Sequence, residues 1–163
     1  MVQKLLSNPG VAKLALNLWP PFWGSGIKIK RLSKDFTHCE VALRFSWWNK
    51  NANRSQFGGS MFAMTDPIYP LMLMAILGSR YHIWDKSAHI DFIKPGMGKL
   101  YARFHIEERF VREVRMATEA GEKFNPKMVC EVVDEQGEVV ARIERTLYIR
   151  LKRRFRPAQV EAA

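Results

Sequence analysis

The sequence has 163 residues, which is enough for one domain with a substantial hydrophobic core. Its composition, 47% hydrophobic and 12% aromatic, excludes an intrinsically disordered chain. The formal net charge of +10 favours an anionic partner such as nucleic acid, an acidic lipid surface or a phosphorylated ligand, although a solvated basic surface needs no partner at all. We expect a single domain over 1–163, with a helix and connection at 1–21 and a basic tail at 152–163.

The N-terminal segment is typical of a short helix. Ser7 or Asn8 before Pro9 is a common helix start. Trp19 and the two prolines after it are predicted to end the helix, and the glycines beyond them predict a turn-rich connection in which Phe22 and Trp23 pack. The apolar positions that recur at helical spacing and form one face are Val11, Leu14, Ala15 and Leu18.

Most of the remaining chain alternates between apolar and polar residues, as half-exposed strands do. A helical pattern at 107–120 interrupts this alternation and stops at Gly121. Short turn signals separate the strands, which favours antiparallel pairing. The predicted strands cover 27–32, 41–45, 83–93, 100–106, 128–133 and 139–151.

The segment 51–78 is the exception, because it is polar at its start and almost wholly apolar from 61 to 77. A helix that is apolar on all sides must be enclosed by membrane or protein. This one is slightly short for a bilayer span and contains Asp66, Pro67 and Pro70, so we expect it to be buried in protein. The sequence therefore predicts an α+β fold: an antiparallel sheet of about five or six strands wrapped round one long buried helix, with an N-terminal helix.

Asp66 is the residue in this segment that requires an explanation. An ionised carboxylate in apolar surroundings is costly unless it is paired, and such groups cluster at functional sites. An Asp before Pro is also a common helix start, with Asp66 as the N-cap and Pro67 at the first helical position. The two interpretations are compatible, because capping would also hold the carboxylate in place.

A glycine pair, Gly58-Gly59, precedes the apolar run. Glycines at a helix start let a ligand approach backbone N–H groups that have no partner within the helix. Such donors can stabilise a developing oxyanion. The alternative is an ordinary tight turn.

Other kinds of chemistry have little support in the sequence. The four histidines and two cysteines are too dispersed to predict a metal site, and no phosphate-binding or dinucleotide-binding glycine motif is present, so no metal or cofactor is expected. The isolated Cys39 and Cys130, together with the lack of a recognisable leader, predict a reducing, cytoplasmic location.

The spacing of Asn51, Phe57-Gly58-Gly59 and Asp66, nine residues after Phe57, resembles a family signature. It is similar to the Asn…His-Gly-Gly…Asp pattern of hotdog-fold acyl-CoA thioesterases of the phenylacetyl-CoA type. The wider stretches GGSMFAMTDPIYPLMLMAILG, WDKSAHIDFIKPG and GEVVARIERTLYIR resemble a bacterial hotdog family labelled tetrameric acyl-CoA thioesterase. The resemblance extends from about residue 22 to residue 150.

This resemblance implies a role for each matching residue. Gly59 or Gly58 would donate its N–H to the thioester carbonyl, and Asp66 would be the general base or the nucleophile. Asn51 would position the thioester or the attacking water. Phe57 stands where these thioesterases usually have His, so the resemblance also allows weak hydrolysis or binding alone. The remaining residues expected to contact an acyl-CoA substrate are Ser60, Met61 and Thr65, beside Phe57.

Two features predict an oligomer: the open edges of the sheet and the spacing between Gly58 and Asp66. An open sheet has edges that favour pairing with a second chain. Gly58 and Asp66 are eight residues apart, or about 12 Å along an ideal helix, too far to act on one thioester carbon. We therefore expect a site shared between two chains of a dimer or dimer of dimers. The alternatives are an acyl-CoA or fatty-acyl binding protein without activity and, with no specific nucleic-acid site evident, nucleic-acid or acidic-membrane binding through the basic tail.

Overall fold

The computed structural model describes residues 6–157, in which six antiparallel strands form one sheet. The strand order is β1-β2-β4-β5-β6-β3, with long pairing between β3 and β6. The predicted α+β hotdog architecture is confirmed, including the number of strands. The strands are β1 (Ile27–Leu32), β2 (His38–Leu43), β3 (Tyr81–Phe92), β4 (Leu100–His105), β5 (Lys127–Val133) and β6 (Val139–Leu151).

Within residues 6–157, five α-helices and three short 3-10 helices accompany the sheet. The helices are α1 (Pro9–Leu18), α2 (Pro20–Ser25), α3 (Gly58–Ala63), α4 (Ile68–Leu77) and α5 (Glu108–Thr118). The 3-10 turns are Trp47–Asn49, Gly78–Arg80 and Arg153–Phe155.

The central helical segment is confirmed, but it consists of two helices in tandem. Helix α3 ends at Ala63, and α4 begins at Ile68, after the four-residue turn 64–67. Pro67 explains the interruption, because it has no N–H to donate and disfavours helical geometry in the residue before it. Helix α4 is buried against the sheet, and its core side chains are Ile68, Tyr69, Met72, Leu73 and Leu77.

A single helical segment of the described chain, Gly58–Arg80, is long and apolar enough to cross a membrane by length and composition alone. Half of its most apolar stretch is buried inside the protein (50%). Because the core helix of a globular domain has the same composition, this is weak support for a membrane span.

The connection after Pro20 differs from the prediction, because it forms α2 rather than a turn-rich loop. Proline is well suited to the first positions of a helix, where its missing N–H is not needed. Gly26 then ends α2 with a positive φ of 75°, which glycine adopts without strain. Phe22 packs in the core as expected, whereas Trp23 is exposed.

Helix α1 lies along the edge of β1. Asn8 caps the helix, with its Oδ1 accepting hydrogen bonds from the N–H groups of Gly10 and Val11 at 2.8 and 3.3 Å. Lys13 Nζ donates to the Lys30 carbonyl at 2.8 Å. Asn17 Oδ1 accepts from the Ile29 N–H at 2.7 Å, and Asn17 Nδ2 donates to the Ile29 carbonyl at 3.2 Å.

The two edges of the sheet differ in how their backbone groups are bonded. Polar side chains of α1 bond to backbone groups of Ile29 and Lys30 on β1, which is one way in which proteins protect an edge strand. Strand β3 is the other edge, twelve residues long, and within residues 6–157 it pairs only with β6. It is therefore the edge available to a second chain.

The basic tail begins within the described chain. Arg156 Nε donates to the Leu151 carbonyl at 2.8 Å, and the Arg154 guanidinium lies 4.7 Å from the centre of the Phe155 ring. The part of the predicted tail at 158–163, like the first five residues of the predicted 1–21 segment, lies outside the described residues. A role of the tail in nucleic-acid or membrane binding stays a prediction.

Two matched substitutions test whether Leu73 lies in the core and Leu18 on the surface. Leu73→Ala is expected to lower the free energy of unfolding by about 2–5 kcal/mol, because Leu73 is fully buried (0% exposed). Leu18→Ala, at a leucine that is 68% exposed, should change it by less than about 0.5 kcal/mol. Urea unfolding of both variants provides the measurement, and equal losses would contradict the described orientation of α1.

Candidate active site

The turn 64–67 between α3 and α4 brings Asp66 beside Asp85 of β3. The register between β3 and β6 shifts between Asp85 and Ser87, which marks a β-bulge. Bulges are frequent next to active sites, where they re-aim a side chain. The two carboxyl groups are close enough to hydrogen-bond to each other when one of them carries a proton.

Arg145 of β6 holds this arrangement together. Its side chain is 2% exposed, and a buried charge is stable only when it is paired and hydrogen-bonded. Arg145 Nη1 donates to Asp85 Oδ2 at 3.2 Å, and Nη2 donates to Thr65 Oγ1 at 2.9 Å. Nη2 also donates to the Phe62 carbonyl at 3.1 Å, and the guanidinium lies 4.8 Å from the centre of the Phe62 ring. One arginine therefore links two strands to the turn that carries Asp66.

The surroundings of Asp85 favour its protonated form. Burial is the largest cause and raises the pKa of Asp85 to about 6, assisted by the Asp66 carboxyl and opposed by the Arg145 guanidinium. Asp85 Oδ1 is buried and receives no hydrogen bond from any donor in residues 6–157. A proton shared between Asp66 and Asp85 would satisfy this oxygen.

The prediction that Asp66 is enclosed does not hold for the single chain, in which this residue is exposed. The helix break turns Asp66 away from the core, so a second chain would be needed to enclose it. Its predicted N-cap role is wrong, because the N-cap position of α4 is Pro67 and no side chain caps the helix. The Asp66 side chain contacts Asp85 instead.

The glycine pair forms the start of α3 and lies against two aromatic rings. A Cβ atom on Gly59 would lie 2.3 Å from Cε1 of Phe57, and one on Gly58 would lie 2.9 Å from Cζ of Phe92. A side chain at either position would therefore have to displace the neighbouring ring. The N–H groups of Gly58 and Gly59 are the first two of the helix, which have no partner within it.

The other predicted site residues lie in different surroundings. Asn51 is engaged in its own loop, where its Nδ2 donates to Ser55 Oγ at 2.9 Å and its Oδ1 accepts from the Ser55 N–H at 3.2 Å. Ser60, Met61 and Thr65 are buried in the single chain. Their predicted contacts with a substrate, like the role of Asn51, stay predictions.

Asp85 and Arg145 are not among the residues predicted from the sequence, although the pattern of β6 contains a signal for Arg145. Arg145 falls on the inward-facing positions of an alternating strand, between the buried Ile143 and Leu147. A charged residue at such a position predicts a buried partner. Asp85 gives no comparable signal, because the exposed β3 contains several polar residues.

Cysteine chemistry is excluded by the surroundings of both thiols. Burial raises the pKa of Cys39 and Cys130 to about 12, so neither is a thiolate near neutral pH. In residues 6–157 no three His, Cys, Asp or Glu side chains are grouped so as to hold a metal ion. The carboxyl pair is therefore the titratable group available for chemistry at this site.

A family model for a domain of unknown function, DUF4442, matches residues 9–149. The chain belongs to this family. No curated protein matches the sequence. Among solved structures, a Pseudomonas aeruginosa protein of unknown function, PA5026, described as a probable thioesterase, is 20% identical, with a TM-score of 0.77. The match covers 90% of this chain and 99% of that one.

Two further structures share the fold at lower similarity. The Escherichia coli PaaI protein from the phenylacetic acid degradation operon is 17% identical with a TM-score of 0.61, over 86% of this chain and 91% of its own. The Haemophilus influenzae thioesterase HI1161 is 13% identical with a TM-score of 0.62, over 88% and 91%. These likenesses confirm the predicted hotdog fold.

The shift of the Asp85 pKa has a measurable consequence for stability. The folded chain holds a proton that the unfolded chain releases near pH 4, so this contribution is present below pH 4 and is lost as pH rises through about 6. Relative to Asp85→Asn, the wild type should lose about 1 kcal/mol of unfolding free energy between pH 4 and pH 6.5, less than full linkage because water reaches the pair.

Urea unfolding at both pH values measures this difference. Asp91→Asn is the matched control, because it removes an exposed carboxylate from the same strand. Parallel pH dependence in the wild type and Asp85→Asn would show that no proton is held at Asp85.

Proposed function

We propose that the protein hydrolyses an acyl-CoA thioester at a site shared between two protomers, with Asp66 as the general base or the nucleophile. The observation that carries this proposal is the position of Asp66. It lies at a break in an otherwise apolar helical segment, next to a second carboxyl group and a turn anchored by a buried arginine. The hotdog fold and the matching sequence signature support the same reaction.

As a general base, Asp66 would accept a proton from water while that water attacks the thioester carbonyl carbon. The carbon–sulfur bond then breaks, which yields a carboxylic acid and the thiol of coenzyme A. Arg145 would hold Asp85 and the turn at 64–67 in place, and with them the Asp66 carboxyl.

A second protomer would complete the site. The free edge of β3 suits pairing with its counterpart, as in a twofold dimer. Phe57 and Phe92 are exposed next to the glycine pair, and a partner chain would cover them. The amide N–H groups of Gly58 or Gly59 of one chain would then face the thioester oxygen opposite the other chain's Asp66. The positive net charge suits the phosphate groups of coenzyme A, and we propose a cytoplasmic location for the reaction.

The decisive variant is Asp66→Asn, which retains the shape of the side chain but cannot accept the proton. We expect kcat/KM for a panel of acyl-CoA substrates to fall by about 10²–10⁴-fold, the usual contribution of a positioned base. Release of the free thiol measures the rate. Asp91→Asn provides the control for loss of one carboxylate and should retain wild-type activity.

Equal rates in the wild type and Asp66→Asn would remove Asp66 from the mechanism. Sedimentation analysis of the active protein tests the shared site separately. A fully active monomer would show that one chain is sufficient.

A second candidate function is binding of an acyl-CoA or fatty-acyl ligand without hydrolysis. The observation that favours it is Phe57, whose ring covers Gly59 and cannot polarise a carbonyl group. In this case the wild type binds acyl-CoA tightly with no turnover.

Phe57→His separates the two candidates. If Phe57 is what suppresses hydrolysis, the histidine should restore it by about 10-fold or more, while binding measured by calorimetry changes little. Phe57→Leu is the matched control, because it removes the ring without adding a polar group. An equal gain in both variants would instead indicate that the ring acts by steric hindrance.

A further inference from the structure

Helix α1 presents its apolar face to the outside. The face formed by Val11, Leu14 and Leu18 is exposed, and Leu18 is 68% accessible. The opposite side of the helix packs against the protein through Ala12 and Leu16, and its polar side chains hydrogen-bond to β1. An amphipathic surface helix normally buries its apolar stripe, so this orientation leaves an apolar face without a partner in residues 6–157.

Tryptophan side chains extend this face. Trp19 and Trp23 continue it beyond α1, and Trp23 is 73% exposed. Trp48 lies across a cleft of about 540 Å³ from Trp23, and its neighbour Trp47 is 83% exposed. Tryptophan is usually well buried in globular proteins but is enriched where a protein meets the headgroup region of a membrane. We call Val11, Leu14, Leu18, Trp19, Trp23, Trp47 and Trp48 the N-terminal apolar face.

The segment that carries most of the N-terminal apolar face has charges of one sign. The stretch 6–34 contains no Asp or Glu, and its basic residues are Lys13, Lys28, Lys30, Arg31 and Lys34. Lys28 and Arg44 line the cleft between Trp23 and Trp48. The cleft therefore offers two cationic groups between two aromatic walls, an arrangement that suits a phosphate on an amphipathic molecule.

We propose that the N-terminal apolar face docks on an anionic phospholipid surface, with headgroup phosphates meeting Lys28 and Arg44. Leucine and tryptophan beside lysine form the combination with which interfacial helices bind membranes. A second copy fits this face poorly, because a twofold contact would bring like charges together. Nucleic acid fits it poorly as well, since its charged backbone gains nothing from Leu14 and Leu18. The proposal is independent of the thioesterase reaction.

Vesicle binding of the whole protein tests the proposal. Vesicles of phosphatidylcholine with phosphatidylglycerol should bind the wild type, shift tryptophan emission to the blue and, when the lipids carry brominated chains, quench it. Pure phosphatidylcholine vesicles should bind at least about tenfold more weakly, and added salt should weaken the anionic binding.

Leu18→Glu and Met116→Glu form the matched pair. Each places one carboxylate at an exposed apolar position, but Met116, 76% exposed, lies on α5 away from the N-terminal apolar face. Partitioning should fall about tenfold or more in Leu18→Glu and stay within about twofold of wild type in Met116→Glu.

Three results would overturn the proposal. One is equal partitioning of the two variants, and another is binding to duplex DNA without binding to vesicles. The third is a wild-type oligomer that dissociates in Leu18→Glu, since this would assign the face to a second copy. Urea unfolding of both variants confirms that they are folded in every arm of the test.

Discussion

A buried guanidinium is the constraint on which the rest of the site depends. The side chains next to Arg145 on the same face of β6 are the aliphatic Ile143 and Leu147. The cost of burying its charge is offset only when acceptors surround it. Those acceptors come from three parts of the chain: Phe62 in the last turn of α3, Thr65 in the turn that follows and Asp85 on strand β3. The hydrogen bonds of Arg145 therefore hold the chain in place at the break in its central helical segment. This break exposes Asp66.

This arrangement leaves one negative charge in excess. The carboxyl groups of Asp66 and Asp85 lie together, whereas the Arg145 guanidinium donates to Asp85, and burial raises the pKa of Asp85 to about 6. The rings of Phe57 and Phe92 lie close to Gly59 and Gly58, at the start of α3.

Local patterns in the sequence were sufficient to predict the strands and the buried central segment, whereas the role of Asp66 stays a prediction. They were insufficient where a long-range contact decides the outcome. The partner of Asp66 is nineteen residues away on β3, and no local pattern marks Asp85. Helix α1 shows the same limit: its periodicity predicts an apolar face, yet that face is exposed, and the side of the helix that packs on the protein carries Ala12, Leu16 and the polar side chains that bond to β1.

The cover that α1 provides for β1 also limits how the sheet can grow. If two chains join through their free β3 edges, each outer edge of the combined sheet is a β1 strand on which Ile29 and Lys30 already bond to Asn17 and Lys13. A third chain would have to displace these bonds before it could pair along the middle of β1. Helix α1 thus disfavours the open-ended addition of strands that begins fibril growth.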